Sequence, residues 1–515
     1  NNINAAKLVA EIISTSLGPR GMDKMLVDSI GDITITNDGA TILKEIDVQH
    51  PAAKMMVEVA KATDSEVGDG TTSAVVIAGA LLEKAEGLID NDIHPVIIAD
   101  GYQKAAKKAI SFLDDISKKL DMSDKKTLEK VAKTSMLTKL VAIEAADLAK
   151  IVVDAILSII EQRDGGYRAT ITNVKVEKKA GGSISDSQLI SGIVLDKEVV
   201  NNNMPKKIQN AKIALISAPL EIEKTEFEAK INISTPNQIK SFMEEENQIL
   251  KEMVEKIRKT GSNVVLCQKG IDDIVQHYLA KAGILAVRRI KESDMAKLSK
   301  ATGARVVGNV DDLTEKDLGL AQNVEEKQIE EDNWTYVEGC KNPKAVTFLI
   351  RGGSQRVVDE VERAIHDALM VVKDVIEKPF FVPGGGAPEA YLAAKLRVWA
   401  QSLSGREQLA VEKFAEALEV IPISLARNSG MNPIDAITQL RAKQSAGQKY
   451  VGVDAVNGII GDIEKIDVLE PIKVKEQIIK SATETANMIL RIDNVVAISR
   501  SSPQPQMPPQ APGMY

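Results

Sequence analysis

The run Gly68-Asp69-Gly70-Thr71-Thr72-Ser73 leads straight into the apolar stretch Ala74-Val75-Val76-Ile77-Ala78. Glycines let a backbone approach an anion closely, and the first amides of the following helix have no partners inside it, so phosphate oxygens can take that place. The hydroxyls of Thr71, Thr72 and Ser73 stand at the same helix start, and Asp69 offers the hard oxygen through which Mg²⁺ is held beside phosphates. The same residues would equally serve as an ordinary capped loop, because Asp and Thr are common at helix N-termini. Neither GxxxxGK[ST] nor GxGxxG occurs, so the commoner nucleotide-binding folds gain no support.

Working outward from this loop, the spacing of Ala5, Leu8, Val9, Ile12 and Ile13 predicts a helix, which Leu17-Gly18-Pro19-Arg20-Gly21 breaks. That break could be a second phosphate-facing turn or plain punctuation. Asp32-Ile33-Thr34-Ile35-Thr36 alternates like a strand and runs into Asn37-Asp38-Gly39, which reads chiefly as a hairpin turn. From Pro51 to Leu120 the pattern is helical, with the Gly68 loop as its one sharp break, so the first ~125 residues read as one helical block.

Farther along, Thr170–Val176 and Gln188–Val194 carry strand signals, and then the composition shifts to α/β. Lys212–Ile216, Asn263–Cys267 and Ile284–Arg288 are short runs suited to buried strands, separated by helical segments. Between the first two lies a charged insertion, Lys224 to Ile257, whose Phe227, Ile231, Ile239, Phe242, Ile249, Leu250 and Met253 fit an amphipathic, projecting helix. Helical character returns with Gln355–Glu377, where Val358, Val361, Ile365, Leu369 and Val372 form the apolar stripe. The other stripe, Glu360, Arg363, Asp367 and Asp374, is expected by default to face solvent. Gly384-Gly385-Gly386, more helices, a ribbon around Asn457-Gly458 and a last helix at about Lys473–Leu490 follow. The end, from Ser501, is rich in Pro, Gln and Met and is expected to be disordered. The order is nested, so the two ends of the chain could form one domain.

Composition narrows the function. A chain of 515 residues exceeds one compact core, and a 44% hydrophobic, 27% charged balance excludes wholesale disorder. The net charge of −8, with no basic block, argues against nucleic acid as partner. Only Cys267 and Cys340 are present, so no disulfide framework or cysteine metal centre is expected, and a cytoplasmic setting fits. His50, His94, His277 and His366 are scattered without metal-ligand spacing. Ala74–Leu82 is far short of the ~20 apolar residues of a membrane span. A start at Asn1 shows no signal peptide and is compatible with residues missing ahead of it.

Five motifs taken together are far more specific than any one alone. Leu17 to Met25, Asn37 to Leu43, Gly68 to Ser73, Val264 to Asp273, and Gly384-Gly385-Gly386-Ala387-Pro388-Glu389 occur in the order found in chaperonins. The sequence closely resembles the group II chaperonins, the family of the archaeal thermosome, from Asn2 to about Arg500. The resemblance implies a multidomain α+β chain. A largely helical equatorial ATPase domain would come from residues 1–124 and 385–500, a small mixed intermediate domain from 125–195 and 347–384, and an α/β apical domain from 196–346 with a helical protrusion at about 224–257. A disordered tail would follow at 501–515.

By the same resemblance, ATP and Mg²⁺ are the expected cofactors. Asp69 would be the metal ligand, and Gly18, Pro19, Gly68, Gly70, Thr71, Thr72, Ser73, Gly384 and Gly385 would surround the nucleotide. Asp38 falls near the γ-phosphate, Asp367 matches the aspartate that orients the attacking water, and Lys139 matches a phosphate-sensing lysine. Asn457 and Glu470, on looser motifs, would meet ribose and adenine. Two departures stand out: Thr138 precedes Lys139 where relatives usually have glycine, and Glu377-Lys378-Pro379-Phe380-Phe381 replaces an acidic-Gly turn. The implied function is ATP-driven folding of nonnative proteins inside stacked rings of identical or paralogous subunits, closed by a built-in lid without a separate cap, and with no nucleic acid or membrane partner. The alternative class is a metabolic ATP-dependent enzyme such as a small-molecule kinase.

Overall fold

The first half of the helix Thr71–Ile89 is apolar on every side, and Ala74 to Leu82 are all buried, so it needs neighbours all around, while Glu83, Lys84 and Glu86 reach the surface farther on. It finds them at both ends of the chain: Asn2–Ser14, Pro51–Val67, Arg406–Leu418 and Ile472–Leu490. Pro95–Ile116 joins this group, with Tyr102 set edge-on against Phe414 at 5.6 Å and its hydroxyl donating to the Leu81 carbonyl at 2.9 Å. A computed structural model describes residues 1–163, 165–222, 236–341 and 343–494 of this mixed α+β protein. Residues 224–235 of the expected arm, Phe227 and Ile231 among them, lie outside the described residues, as does the expected tail.

Among the described residues three large buried cores follow one another in nested order, with a small fourth cluster around Trp334 and Tyr336. The first spans Ala6 to Ile116 and Val382 to Leu490. A second joins Leu120–Val174 to Val346–Ile376, and a third holds Ile193 to Ala345. The third is built on a seven-stranded sheet whose parallel part, Lys207–Ile216 flanked by Val264–Cys267 and Val306–Val307, continues through antiparallel Gly319–Ile329 and Asp332–Glu338. The helix Pro236–Lys259 packs Leu250, Val254 and Ile257 into that core and leaves Phe242, Met243 and Ile249 exposed. Among the described residues no helix is long and apolar enough to cross a membrane.

Several local expectations are corrected. Asn37-Asp38-Gly39 is not a hairpin turn. The strand Ile33–Thr36 pairs backward with Lys24–Val27, and the turn lies at residues 28–32, where the Asp28 carboxylate accepts from the Ile30 and Asp32 amides. Asp38 instead caps the helix Gly39–Glu45, accepting from the Thr41 amide at 2.8 Å. The helical stretch after Pro51 breaks twice, the second time before Pro95, where His94 Nδ1 accepts from the Val96 amide. The strand expected at Thr170 starts only at Val174, after a 3-10 turn at Ile171–Asn173. On Gln355–Glu377 the polar stripe is not solvated: Glu360, Asp367 and Asp374 are all buried and ion-paired, to Arg363, to Lys139 and to Lys473 of Ile472–Leu490. Phe380 and Phe381 enter a strand, Phe380–Pro383, that pairs with Lys118–Lys119 and Leu469–Pro471.

Two glycines in the central helix make opposite predictions. A Cβ at Gly79 would meet the Ala10 Cβ at 2.3 Å, whereas one at Gly87 meets nothing within 4 Å. Gly79→Ala should destabilise by about 1–3 kcal/mol through overpacking. Gly87→Ala should stabilise by about 0.4–1 kcal/mol, since alanine is the better helix former and narrows the unfolded ensemble. Thermal unfolding midpoints moving in opposite directions check this, and two shifts of the same sign would contradict it.

Candidate nucleotide site

Helix Pro51–Val67 ends at Gly68, in the left-handed region at φ 67°, and the next helix begins after Gly70, at φ 76°. Both positions exclude a side chain sterically as well: a Cβ at Gly68 would lie 2.4 Å from the Met370 Cβ, and one at Gly70 2.5 Å from Ile478 Cδ1. The loop between them is therefore clamped by Gln355–Glu377 on one side and Ile472–Leu490 on the other. The start of the Thr71–Ile89 helix has no side-chain cap, so its first amides, with the positive end of the helix dipole, are left for a ligand. They open into a cavity of ≈ 190 Å³ that Asp69, Gly70, Thr71, Thr72 and Ser73 line.

Asp69 sits deep in this loop and accepts from the Gly70 amide at 2.6 Å. Burial pushes its carboxyl above the usual range, with the Lys139 ammonium the strongest opposing influence. Asp38 accepts from Thr41 Oγ1 at 2.7 Å through one oxygen and from Thr71 Oγ1 at 3.4 Å through the other, so the two helix starts are tied together. Gly18 and Pro19 form another part of the wall. Their turn is held by Asn428 Nδ2, which donates to the Ser14 and Leu17 carbonyls at 2.9 Å.

The later half of the chain supplies the opposite side. The Gly385 carbonyl accepts from the Val453 amide at 2.8 Å, and the Gly384 amide donates to the Val468 carbonyl at 2.9 Å. Gly385 lines the cavity; Gly68 and Gly384 back it. Lys139 lines it too and is ion-paired to Asp367, which is buried on Gln355–Glu377 just behind. Most of the predicted site residues thus line the cavity; Gly68, Gly384 and Asp367 lie beside lining residues, and Asn457 stands apart. Asn457 is exposed in the ribbon turn, its amide donating to Asp454 Oδ2 at 2.7 Å, and it does not line the cavity. Asp454 itself does, beside an apolar wall that includes Ile421, Val453, Ile463 and Val468.

Sequence reasoning missed Lys475. Its ammonium is buried between Glu389 Oε1 at 2.8 Å and Glu470 Oε2 at 2.6 Å. Glu470 keeps about a quarter of its side chain (24%) open to the cavity, yet dense surroundings push its carboxyl upward by desolvation, against the pull of Lys475. The flanking carboxylates outweigh desolvation at Lys475 and raise its affinity for a proton. Nothing in Lys473-Val474-Lys475 signals this, since alternate lysines at a helix start read as solvent-facing. Asn37, dismissed as part of a turn, also lines the cavity.

An uncapped helix start, a glycine-framed carboxylate and a lysine–aspartate pair meet at one cavity, an arrangement suited to an anion. The chain belongs to the TCP-1/cpn60 chaperonin family, matched over residues 9–500. It is 55% identical over 496 residues to a thermosome subunit of Methanopyrus kandleri, covering 96% of this chain and 91% of that one. It is 54% identical to the thermosome subunit alpha of Archaeoglobus fulgidus over 496 residues, with the same coverage, and 54% identical to that of Sulfolobus acidocaldarius over 510 residues, 97% and 91% of the two chains. The protein is a group II chaperonin, an ATPase that drives protein folding.

The buried charge triad gives the site's prediction. Lys475→Met should destabilise the fold by roughly 3–5 kcal/mol, because two buried carboxylates lose their counterion. Adding Glu389→Gln and Glu470→Gln to it should recover most of that loss. Denaturant titration of the single and triple variants checks this, and a triple variant no more stable than the single would refute it.

Proposed function

We propose that the protein is one subunit of a stacked double ring, in which ATP bound in this cavity drives enclosure of a nonnative polypeptide. Its neighbours would be copies of itself or paralogues, consistent with relatives named as alpha and beta subunits. The first core would be the equatorial ATPase domain, the second the intermediate domain, and the third the apical domain. The exposed Phe242, Met243 and Ile249 on Pro236–Lys259 support a built-in lid in the segment 224–257, which would make a separate cap unnecessary.

The observation that carries the mechanism is the Lys139–Asp367 pair, which brings a carboxylate from a helix of the second core to the wall of a cavity built on the first. Phosphates would sit on the amides and hydroxyls of Thr71, Thr72 and Ser73, with Gly18 and Pro19 opposite. Mg²⁺ fits Asp69: a buried carboxylate whose charge is disfavoured by desolvation gains most from a cation. When bound, the metal would neutralise phosphate charge. Glu470 faces the same cavity and would accept from ribose hydroxyls, while Asn457 would act only through the Asp454 turn.

Lys139, drawn toward a phosphate, would release Asp367 to align the attacking water and take its proton, with Asp38 alongside. Phosphoryl transfer asks the protein mainly for such alignment and charge neutralisation. Asp367→Ala should therefore bind ATP nearly normally and hydrolyse it roughly 10²–10⁴-fold more slowly, and Asp367→Asn should be almost as slow. Asp374 is no neutral control, being fully buried and paired to Lys473 at 2.7 Å; burial pushes its carboxyl up to about 6. Lys373→Ala, on the same helix, should stay active. Single-turnover hydrolysis beside a nucleotide titration decides this, and a near-normal rate in Asp367→Ala would defeat it. Sedimentation should give a particle many times the 55.7 kDa of one chain; a monomer with and without ATP would overturn the ring.

A further inference from the structure

We propose that Asn37 is a positioning residue for ATP hydrolysis, acting through Lys139. The inference rests on the reading of Lys139 and Asp367 given above. Asn37 Nδ2 donates a hydrogen bond to the carbonyl oxygen of Thr138, the residue immediately before Lys139. Lys139 in turn holds Asp367. The relay therefore runs from the start of the Gly39–Glu45 helix, across a span of 101 residues in sequence, to the carboxylate behind the cavity.

The mount at one end is rigid. Thr36, before Asn37, is buried, and its hydroxyl accepts from the Asp38 amide at 3.1 Å. Asp38, after it, caps the next helix and reaches Thr71 of the phosphate loop. Asn37 is thus fixed between a strand end and a helix cap, with its amide pointing across the cavity mouth.

The other end belongs to the second core. Residues 137–144 connect the helices Lys125–Met136 and Ala145–Ile159 as a run of turns, held locally by the Lys139 amide on the Met136 carbonyl and the Ala142 amide on the Lys139 carbonyl. Leu140 and Ile143 on this connection are exposed, and its apolar anchors, Val141 and Leu137, hold it to the second core and not to the wall of the first. Among the described residues, the Asn37 amide is the side-chain hydrogen bond that ties this turn to the wall carrying Asp38 and Asp69. It is a backbone carbonyl that is held, so the tie sets the position of the chain at Thr138 whatever side chain stands there, including the threonine that departs from the family's usual glycine. A misplacement of about 1 Å in such a supporting contact can cost up to ~10²-fold in rate.

The test is a double-mutant cycle in the full chain, reading single-turnover ATP hydrolysis and ATP binding. Asn37→Ala should slow hydrolysis by roughly tenfold to a hundredfold while leaving the ATP dissociation constant within about twofold. Asn37→Asp, equal in size but without a donor toward the carbonyl, should be as slow, and it carries the test if the alanine variant does not fold. In a Lys139→Ala background either substitution should change the rate little further, because the group being positioned is gone. An equal loss in both backgrounds would overturn the inference by assigning Asn37 a general structural role. Weakened ATP binding with unchanged hydrolysis would overturn it by making Asn37 a direct nucleotide contact. If Lys139→Ala alone leaves hydrolysis unchanged, the reading of Lys139 itself fails, an outcome distinct from the other two.

Discussion

A stretch of helix that is apolar on every side can be satisfied only by neighbours on every side, and Ala74 to Leu82 of Thr71–Ile89 draw them from both ends of the chain. This requirement brings Asn2–Ser14 and Ile472–Leu490 into one core although hundreds of residues separate them. It also decides where the site is. With the body of the helix enclosed, its amide end is the place where polar groups stay unpaired, and the turns that surround it come from whichever segments the packing has already gathered. Cavity and core are one consequence of a single buried helix.

Charge is placed around that cavity in a way that would be costly without partners. Lys475 lies between Glu389 and Glu470, Lys139 against Asp367, and Lys473 against Asp374, all at the junction of the first two cores. A comparable cluster, Lys175 with Glu177 and Asp294, lies where the second core meets the third. Buried pairs of this kind contribute little net stability, since desolvation offsets most of the attraction. What they add is dependence on geometry: a pair that is good in one arrangement of the cores becomes an unpaired buried charge in another. Asp374 shows the cost directly, with one carboxylate oxygen buried and without a hydrogen-bond partner.

Much of this was legible in the sequence, and the failures share a cause. The Gly68–Ser73 loop, the Gln355–Glu377 helix and the nested order were readable because glycine spacing and helical periodicity are local signals. The misreadings came where a tertiary neighbour changed the meaning of a local pattern. Asn37-Asp38-Gly39 has the residues of a hairpin turn, but a strand already paired on its N-terminal side leaves it to open a helix. Glu360, Asp367 and Asp374 look like a wet face because periodicity shows one apolar stripe, whereas Arg363, Lys139 and Lys473 pair with the polar one. Lys475 was invisible for the same reason. Its partners stand 86 and 5 residues away, and only the fold brings them together.

The same distinction separates binding from reaction. The groups suited to hold phosphate are backbone amides and short hydroxyls fixed to one helix start, and they need no movement to act. Asp367 belongs to a different core and reaches the cavity through an ion pair with Lys139. An ion pair can be exchanged for another when a stronger anion arrives, and a phosphate beside Lys139 is such an anion. On the proposed mechanism, hydrolysis would be sensitive to how one core sits on the other, while binding would not. Coupling between chemistry and motion of the cores would then need no separate device, because the carboxylate proposed to face the water is carried on the helix that would have to move.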